Sequence, residues 1–379
     1  MALRGLKVIE LMGLAPGPYC GMVLADFGAN VTVVHKVSTE GVLMDAMSNG
    51  KKMIAIDLKS MEGRTIVKKL CISADIFLDI FRPGVMEKLG LGPEALMKDN
   101  PRLIYARLTG FGQTGSFAHK AGHDINFIAL SGVLSLLSKN KQPPSPPINI
   151  LGDFGGGGLM CVMGILLALY ERSISGRGQV IDVSMLEGSA YLSSWLFKTR
   201  NEPVLWGQEP GKNPLDGGAA FYGTYKTKDG KFMAVGAIEP QFYEQFLRGL
   251  GLSSDEFYQY GDQDLYKEKF SEIFSTKNQI EWCEIFDKLD GCVTPVLDFE
   301  QLNHINESRK SFYKDVDGKI IPNVAPRLSR TPGTSLGHLK VPSPGQHSIE
   351  ILKELGYSKA KIEELLVNGN VFAHKKSNI

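Results

Sequence analysis

Five short apolar runs rich in β-branched residues recur within the first 108 residues, with helical or turn-like stretches between them. They cover residues 6–11, 31–35, 53–58, 76–81 and 103–108. Strands spaced by helices cannot pair as hairpins, so the pattern predicts an α/β fold: a parallel sheet covered on both faces. The first strand leads into the turn Gly13-Leu14-Ala15-Pro16-Gly17-Pro18 and a helix over 19–27 that Gly28 ends. This start has the look of a dinucleotide fold, yet Gly13, Gly17 and Gly21, with prolines between, do not form G-x-G-x-x-G. That spacing does not bring two glycines to a pyrophosphate, which argues against an NAD-dependent oxidoreductase.

The chain is 379 residues long, more than one hydrophobic core usually holds, so two domains are expected. Residues 201–218 are rich in Gly, Pro and polar residues and read as a linker. Beyond them the pattern changes to a hairpin, 221–227 with 231–236, turning at Asp229-Gly230. Helices over 241–250, 265–274 and 279–289 and a strand over 292–297 follow, which suggests a smaller α+β domain. The last stretch carries helices near 347–355 and 359–366. A net charge of +1 gives no electrostatic basis for a nucleic-acid or membrane-surface partner. Cys20, Cys71, Cys161, Cys283 and Cys292 are scattered and read as reduced core thiols, with no zinc site. No apolar run approaches the ~18 residues that span a bilayer, and residues 159–170 read as a buried helix. The N-terminus enters its first strand at once, so no signal or transit peptide is expected.

The stretch 121–158 concentrates the candidate chemistry. His123 follows Gly122 and precedes Asp124, which can cap the helix beginning there; an imidazole near neutrality suits a general acid or base. Asp153 has an ordinary reading as a helix N-cap. The four glycines at 155–158 are harder to explain, because each costs about 1 kcal/mol in a helix relative to alanine. Glycines are tolerated there when backbone must approach a ligand or another backbone closely, and a functional reason is favoured. Glu239, before Pro240, reads as an exposed turn residue unless it orients His123. Lys36, Arg82 and Lys88 lie near strand ends and are not singled out by pattern alone.

Six segments in order carry a resemblance: Gly13-Leu14-Ala15-Pro16-Gly17-Pro18, Phe81-Arg82-Pro83-Gly84-Val85, Arg107-Leu108-Thr109-Gly110-Phe111-Gly112, Gly122-His123-Asp124-Ile125-Asn126, Gly176-Arg177-Gly178-Gln179-Val180-Ile181-Asp182 and Gly236-Ala237-Ile238-Glu239-Pro240-Gln241-Phe242-Tyr243. Together they resemble the family III CoA-transferases over essentially the full chain. The resemblance implies a large Rossmann-like CoA-binding domain (1–186 with 320–379), a linker (187–220) and an inserted small α+β domain (221–319). It also implies an interlocked homodimer with no metal or redox cofactor, CoA being part of the substrate.

The activity it implies is racemisation of (R)- and (S)-2-methyl-branched acyl-CoA thioesters, such as pristanoyl-CoA and bile-acid side-chain CoA esters. His123 and Asp153 are then the two acid/base groups, and Glu239 from the partner chain is the hydrogen-bond partner of His123. For the S substrate the resemblance makes His123 the base and Asp153 the acid, with the roles reversed for R. The implied CoA contacts are Lys36, Ile56, Asp57, Leu58, Lys59, Arg82 and Lys88, together with Ala121, Gly122, His123, Asp124, Ile125 and Asn126. Lys36 and Lys88 stand where family members often carry arginine; lysine keeps the charge but loses bidentate phosphate geometry. The implied location is peroxisome and/or mitochondrion; Ser377-Asn378-Ile379 is only a degenerate form of the peroxisomal tripeptide.

Two rivals remain at this point. A CoA-transferase of the same fold would use Asp153 as a nucleophile and form an acyl anhydride. A non-catalytic acyl-CoA-binding protein should lack one of His123, Asp153 and Glu239, and all three are present.

Overall fold

The computed structural model describes residues 1–37, 45–138, 142–302 and 313–374; the C-terminal tripeptide lies outside them. The chain forms two compact units, one of residues 1–132, 147–192 and 311–379, the other of residues 133–146 and 193–310.

The first unit is built on a seven-stranded sheet. Its parallel strands are β1 (Lys7–Leu11), β2 (Asn30–His35), β3 (Lys52–Ile56), β4 (Ile76–Asp79), β5 (Ile104–Thr109) and β6 (Val180–Ser184). Their order across the sheet is β3-β2-β1-β4-β5-β6, and strand Val371–Phe372 adds antiparallel to β3 at the edge. This order reverses direction between β1 and β4, which opens a crevice beyond the strands' carboxyl ends.

The period-two alternation of side chains divides the strands between two cores. Ile9, Leu11, Phe77 and Tyr105 face helices α2 (Met61–Ile72), α3 (Val85–Lys88) and α4 (Pro93–Asp99) and the helices Ser348–Glu354 and Lys359–Val367. Val8, Ile76, Leu78, Ile104 and Ala106 face α1 (Pro16–Asp26), α5 (Asp124–Leu130), α6 (Met160–Ser175) and α7 (Met185–Leu192). Strands covered on both sides have no polar face, which is why these runs are almost continuously apolar.

Ahead of α6 the helix begins earlier and wider than the sequence suggested: Ile150–Leu159 is π-helical and runs straight into α6. The combined helix, Ile150–Ser175, has 26 residues and a mean hydropathy of 1.8 in its most apolar stretch. By length and composition it suffices to cross a membrane, which corrects the expectation that no run is long enough. Nor is it a fully buried helix. Cys161, Val162, Ile165 and Ala168 pack on the sheet, whereas Met163, Leu166, Leu167 and Tyr170 are exposed. After β6 the chain forms α7 and then α8 (Ser194–Thr199).

The second unit holds an antiparallel sheet of β7 (Tyr222–Lys226), β8 (Phe232–Gly236) and β9 (Val293–Val296). Three helices, Pro240–Leu250, Gln263–Phe274 and Gln279–Phe286, surround an aromatic core of Phe246, Phe270, Phe274, Trp282 and Phe286.

Candidate functional site

Among the described residues, two cavities open at the carboxyl ends of the strands in the first unit. One, of about 770 Å³, lies beyond β1, β2 and β3. It is lined by the expected Lys36, Ile56, Asp57, Leu58 and Lys59, and also by Leu11, Gly13, His35, Phe81 and Gly369. The other, of about 440 Å³, lies beyond β4 and β5 and is lined by the expected Arg82, Ala121, Gly122, His123 and Asn126. Leu14, from the first turn, borders both. Lys88, at the end of α3, lines neither cavity, and neither do Asp124 and Ile125.

The lining that sequence reading missed has a common origin. Leu11 and His35 are the last residues of parallel strands, and their proximity follows from sheet order. The rule that ligands bind beyond strand carboxyl ends would have selected them once that order was known. His35 is buried, and its Nδ1 lies 2.7 Å from the carbonyl of Lys36. Gly369 is delivered by the return of the C-terminal segment, where Asp57 donates its N–H to the carbonyl of Asn370.

His123 is the N-cap of α5, with extended backbone, and its own N–H donates to Asn126 Oδ1 at 3.1 Å. The imidazole is exposed beside the smaller cavity. Asp153 sits in the first turn of the π-helical segment, partly buried. Its backbone N–H donates to Asp124 Oδ2 at 2.7 Å, and its own Oδ2 accepts from Asn149 Nδ2 at 3.2 Å. Thus the helix that His123 caps and the helix that carries Asp153 meet at their N-termini. There the orphan N–H groups and the helix dipoles favour negative charge. Burial pushes the Asp153 carboxyl above the usual carboxylate range, and the nearby Asp124 adds to this; Asn149 and His123 oppose it. A carboxyl raised in this way is a better proton acceptor in its ionised form than an unperturbed aspartate, which suits an acid/base role.

The glycine run is explained by close packing. A Cβ on Gly156 would stand 2.6 Å from the backbone N of Ser189, and one on Gly188 only 1.9 Å from the Gly156 carbonyl oxygen. Gly158 approaches Tyr19 and Pro16 of α1 in the same way, and Gly152 approaches Asp124. The glycines let the wide π-helical turns nest against α1 and α7, so their role is approach to protein atoms, where the sequence favoured a functional reason. Glu239 caps helix Pro240–Leu250 in the second unit and is exposed. Among the described residues no group of three or more His, Cys, Asp or Glu side chains is arranged to hold a metal ion.

Comparison with known proteins bears on this arrangement. Residues 3–348 match the family described as CoA-transferase family III. The protein named alpha-methylacyl-CoA racemase in Mus musculus is 55% identical over 371 residues, covering 96% of this chain and 96% of the mouse protein. Its namesake in Homo sapiens is 51% identical over 370 residues, again covering 96% of each. A crystal structure of a CAIB/BAIF family protein from Brucella suis superposes with a TM-score of 0.76 at 25% identity, covering 93% of this chain and 99% of that one. A Rossmann-type sheet, the strand-end cavities and full-length matches at this identity agree: the chain belongs to CoA-transferase family III.

Proposed function

We propose that the protein is an isomerase, a racemase that interconverts (R)- and (S)-2-methyl-branched acyl-CoA thioesters by two-base transfer of the α-proton. The observation that carries this reading is the junction of two helix N-termini, with His123 on one and Asp153 on the other. The high identity to mouse and human proteins named for that activity supports it. In the proposed reaction one group takes the α-proton, and the C–H bonding pair moves into the thioester as an enolate. The second group then returns a proton to the opposite face. An α-proton next to a thioester is weakly acidic, so the enolate oxygen needs preorganised donors. The backbone N–H groups that open α5 after His123 are suitable, and each such donor contributes about 10²–10³-fold. A positioned base contributes about 10²–10⁴-fold.

In this reading CoA belongs to the substrate and the chain needs no separate cofactor. The larger cavity takes the nucleotide end, with Lys36 and Lys59 at its rim, and the smaller cavity takes the thioester beside His123. The protein acts as a homodimer in which Glu239 of a second copy orients His123. The exposed apolar row Met163, Leu166, Leu167 and Tyr170 favours a covering partner over solvent. Branched-chain fatty acid and bile-acid side-chain thioesters are the proposed substrates, in peroxisome or mitochondrion, which organelle fractionation tests.

The deciding experiment incubates the protein with a 2-methylacyl-CoA in deuterium oxide without any acceptor acid. Deuterium at the α-carbon with inversion is expected. Transfer of CoA to free carboxylates with no label at the α-carbon would overturn the reading in favour of a transferase with Asp153 as nucleophile. Binding without either reaction would leave an acyl-CoA-binding protein.

A further inference from the structure

We propose that Asp124 is a positioning residue of the acid/base pair: its buried carboxylate ties the Asp153 backbone to the helix capped by His123 and thereby sets the spacing of the two groups. This rests on the two-base reading and goes beyond it, because it gives Asp124 a task other than contact with CoA.

Asp124 follows His123 directly, yet its side chain does not open toward either cavity; the residue is only 5% exposed. An aspartate in the first turn of a helix ordinarily serves that same helix. Here Oδ2 reaches a segment 29 positions later and accepts the Asp153 N–H at 2.7 Å. Charge-assisted bonds from carboxylate to backbone N–H are short and about twice as strong as neutral ones. The neighbouring residue is shaped to allow the contact, since a Cβ on Gly152 would lie 2.6 Å from Oδ2 and 2.8 Å from Cγ. Oδ1 is buried with no hydrogen-bond partner among the described residues. A half-satisfied buried carboxylate is costly for stability, so its retention calls for a reason, and holding Asp153 supplies one.

Asp153 is therefore gripped twice, at its backbone by Asp124 and at its carboxylate by Asn149. Asp124 and His123 are the charged groups acting on it. Besides Asp124, the residues of α1 and α7 that the glycines of the π-helical segment approach are Pro16, Tyr19, Met185, Gly188, Ser189 and Leu192; of these Tyr19 titrates, and burial raises it. Asp124 raises the Asp153 carboxyl, so a neutral replacement lowers it again.

The test measures α-proton exchange and CoA affinity in Asp124→Ala and Asp124→Asn. Displacing a reacting group by about 1 Å costs roughly a hundredfold, so Asp124→Ala should lose about that factor in kcat while KM and CoA affinity change little. Asp124→Asn keeps an acceptor for the Asp153 N–H and should recover most of the rate. It also lacks the negative charge, so with the R substrate, for which Asp153 is the base, the acid limb of its kcat/KM profile should move to lower pH. A merely structural role would not confine the loss in Asp124→Ala to kcat while KM and CoA affinity hold. Exchange by Asp124→Ala at close to the native rate, or an unmoved acid limb in Asp124→Asn, overturns the proposal. Should Asp124→Ala not fold, the Asn variant's profile decides alone. If native protein exchanges and His123→Ala and Asp153→Ala do not, the two-base reading stands whichever way Asp124 falls. Native protein without exchange defeats that reading first.

Discussion

Removal of Lys51 tests the packing that holds the first turn, and with it the border of both cavities. Lys51 Nζ lies 2.8 and 3.1 Å from the two Glu10 carboxylate oxygens and donates to the Pro18 carbonyl at 3.0 Å. Neither side chain of the pair is exposed. Space for it comes from Gly21, where a Cβ would stand 1.7 Å from Glu10 Oε2. Lys51→Met leaves a buried carboxylate without its cation, a change that typically costs about 3–5 kcal/mol. In a unit of this size each kcal/mol moves Tm by roughly 2–4 °C, so the first unit should melt roughly 6–20 °C lower. Burial pushes the Glu10 carboxyl from 4.5 up to about 7, with Lys51 pulling against it. A folded-state value above the unfolded one gives stability that is present below the unfolded value and lost as pH rises through the folded one. Without Lys51 the folded value climbs further, so the deficit of the variant should be larger at pH 8 than at pH 5. Circular dichroism melts of native protein, Lys51→Met and the Glu10→Met/Lys51→Met pair measure this. The apolar pair should recover most of the loss, as buried ion pairs replaced on both sides often do. A Lys51→Met variant as stable as native, or one equally impaired at both pH values, would refute the reasoning.

Other outcomes follow from the site itself. His123→Ala and Asp153→Ala should each lower α-proton exchange by about 10²–10⁴-fold while retaining CoA affinity by equilibrium dialysis, because removal of a positioned base affects chemistry more than binding. Near-native exchange in either variant would break the two-base assignment. Gly188→Ala places a methyl group 1.9 Å from the Gly156 carbonyl oxygen, so backbone must shift. It should destabilise the fold by about 1–3 kcal/mol and reduce exchange by more than it weakens CoA binding. Denaturant titration together with initial rates checks both.

Local sequence was a good guide wherever local chemistry decides. The β-branched runs became β1 to β5, within two residues at each end, because strands buried on both faces require continuous apolar residues. The Asp229-Gly230 turn closed the expected hairpin between β7 and β8. The thiols were less uniform than expected: Cys20, Cys71 and Cys161 are buried, but Cys292 is exposed. His123 and Asp153 were visible as ionisable groups ahead of apolar helices, and their assignment as acid and base came from the family motif.

The sequence by itself thus determined the strand–helix alternation, the presence of a second α+β region and the identity of the ionisable candidates. These follow from side-chain periodicity and turn chemistry, which act over a few residues. Tertiary structure alone decided what lies far apart in sequence and close in space. It brought Leu11, His35 and Gly369 to one cavity through strand order and a returning C-terminal strand. It turned the glycine run into wide helical turns nested on α1 and α7, since only a neighbouring backbone gives missing Cβ atoms a purpose. And it directed Asp124 across 29 residues to the Asp153 N–H, a contact no local pattern encodes because it exists only where two helix ends converge.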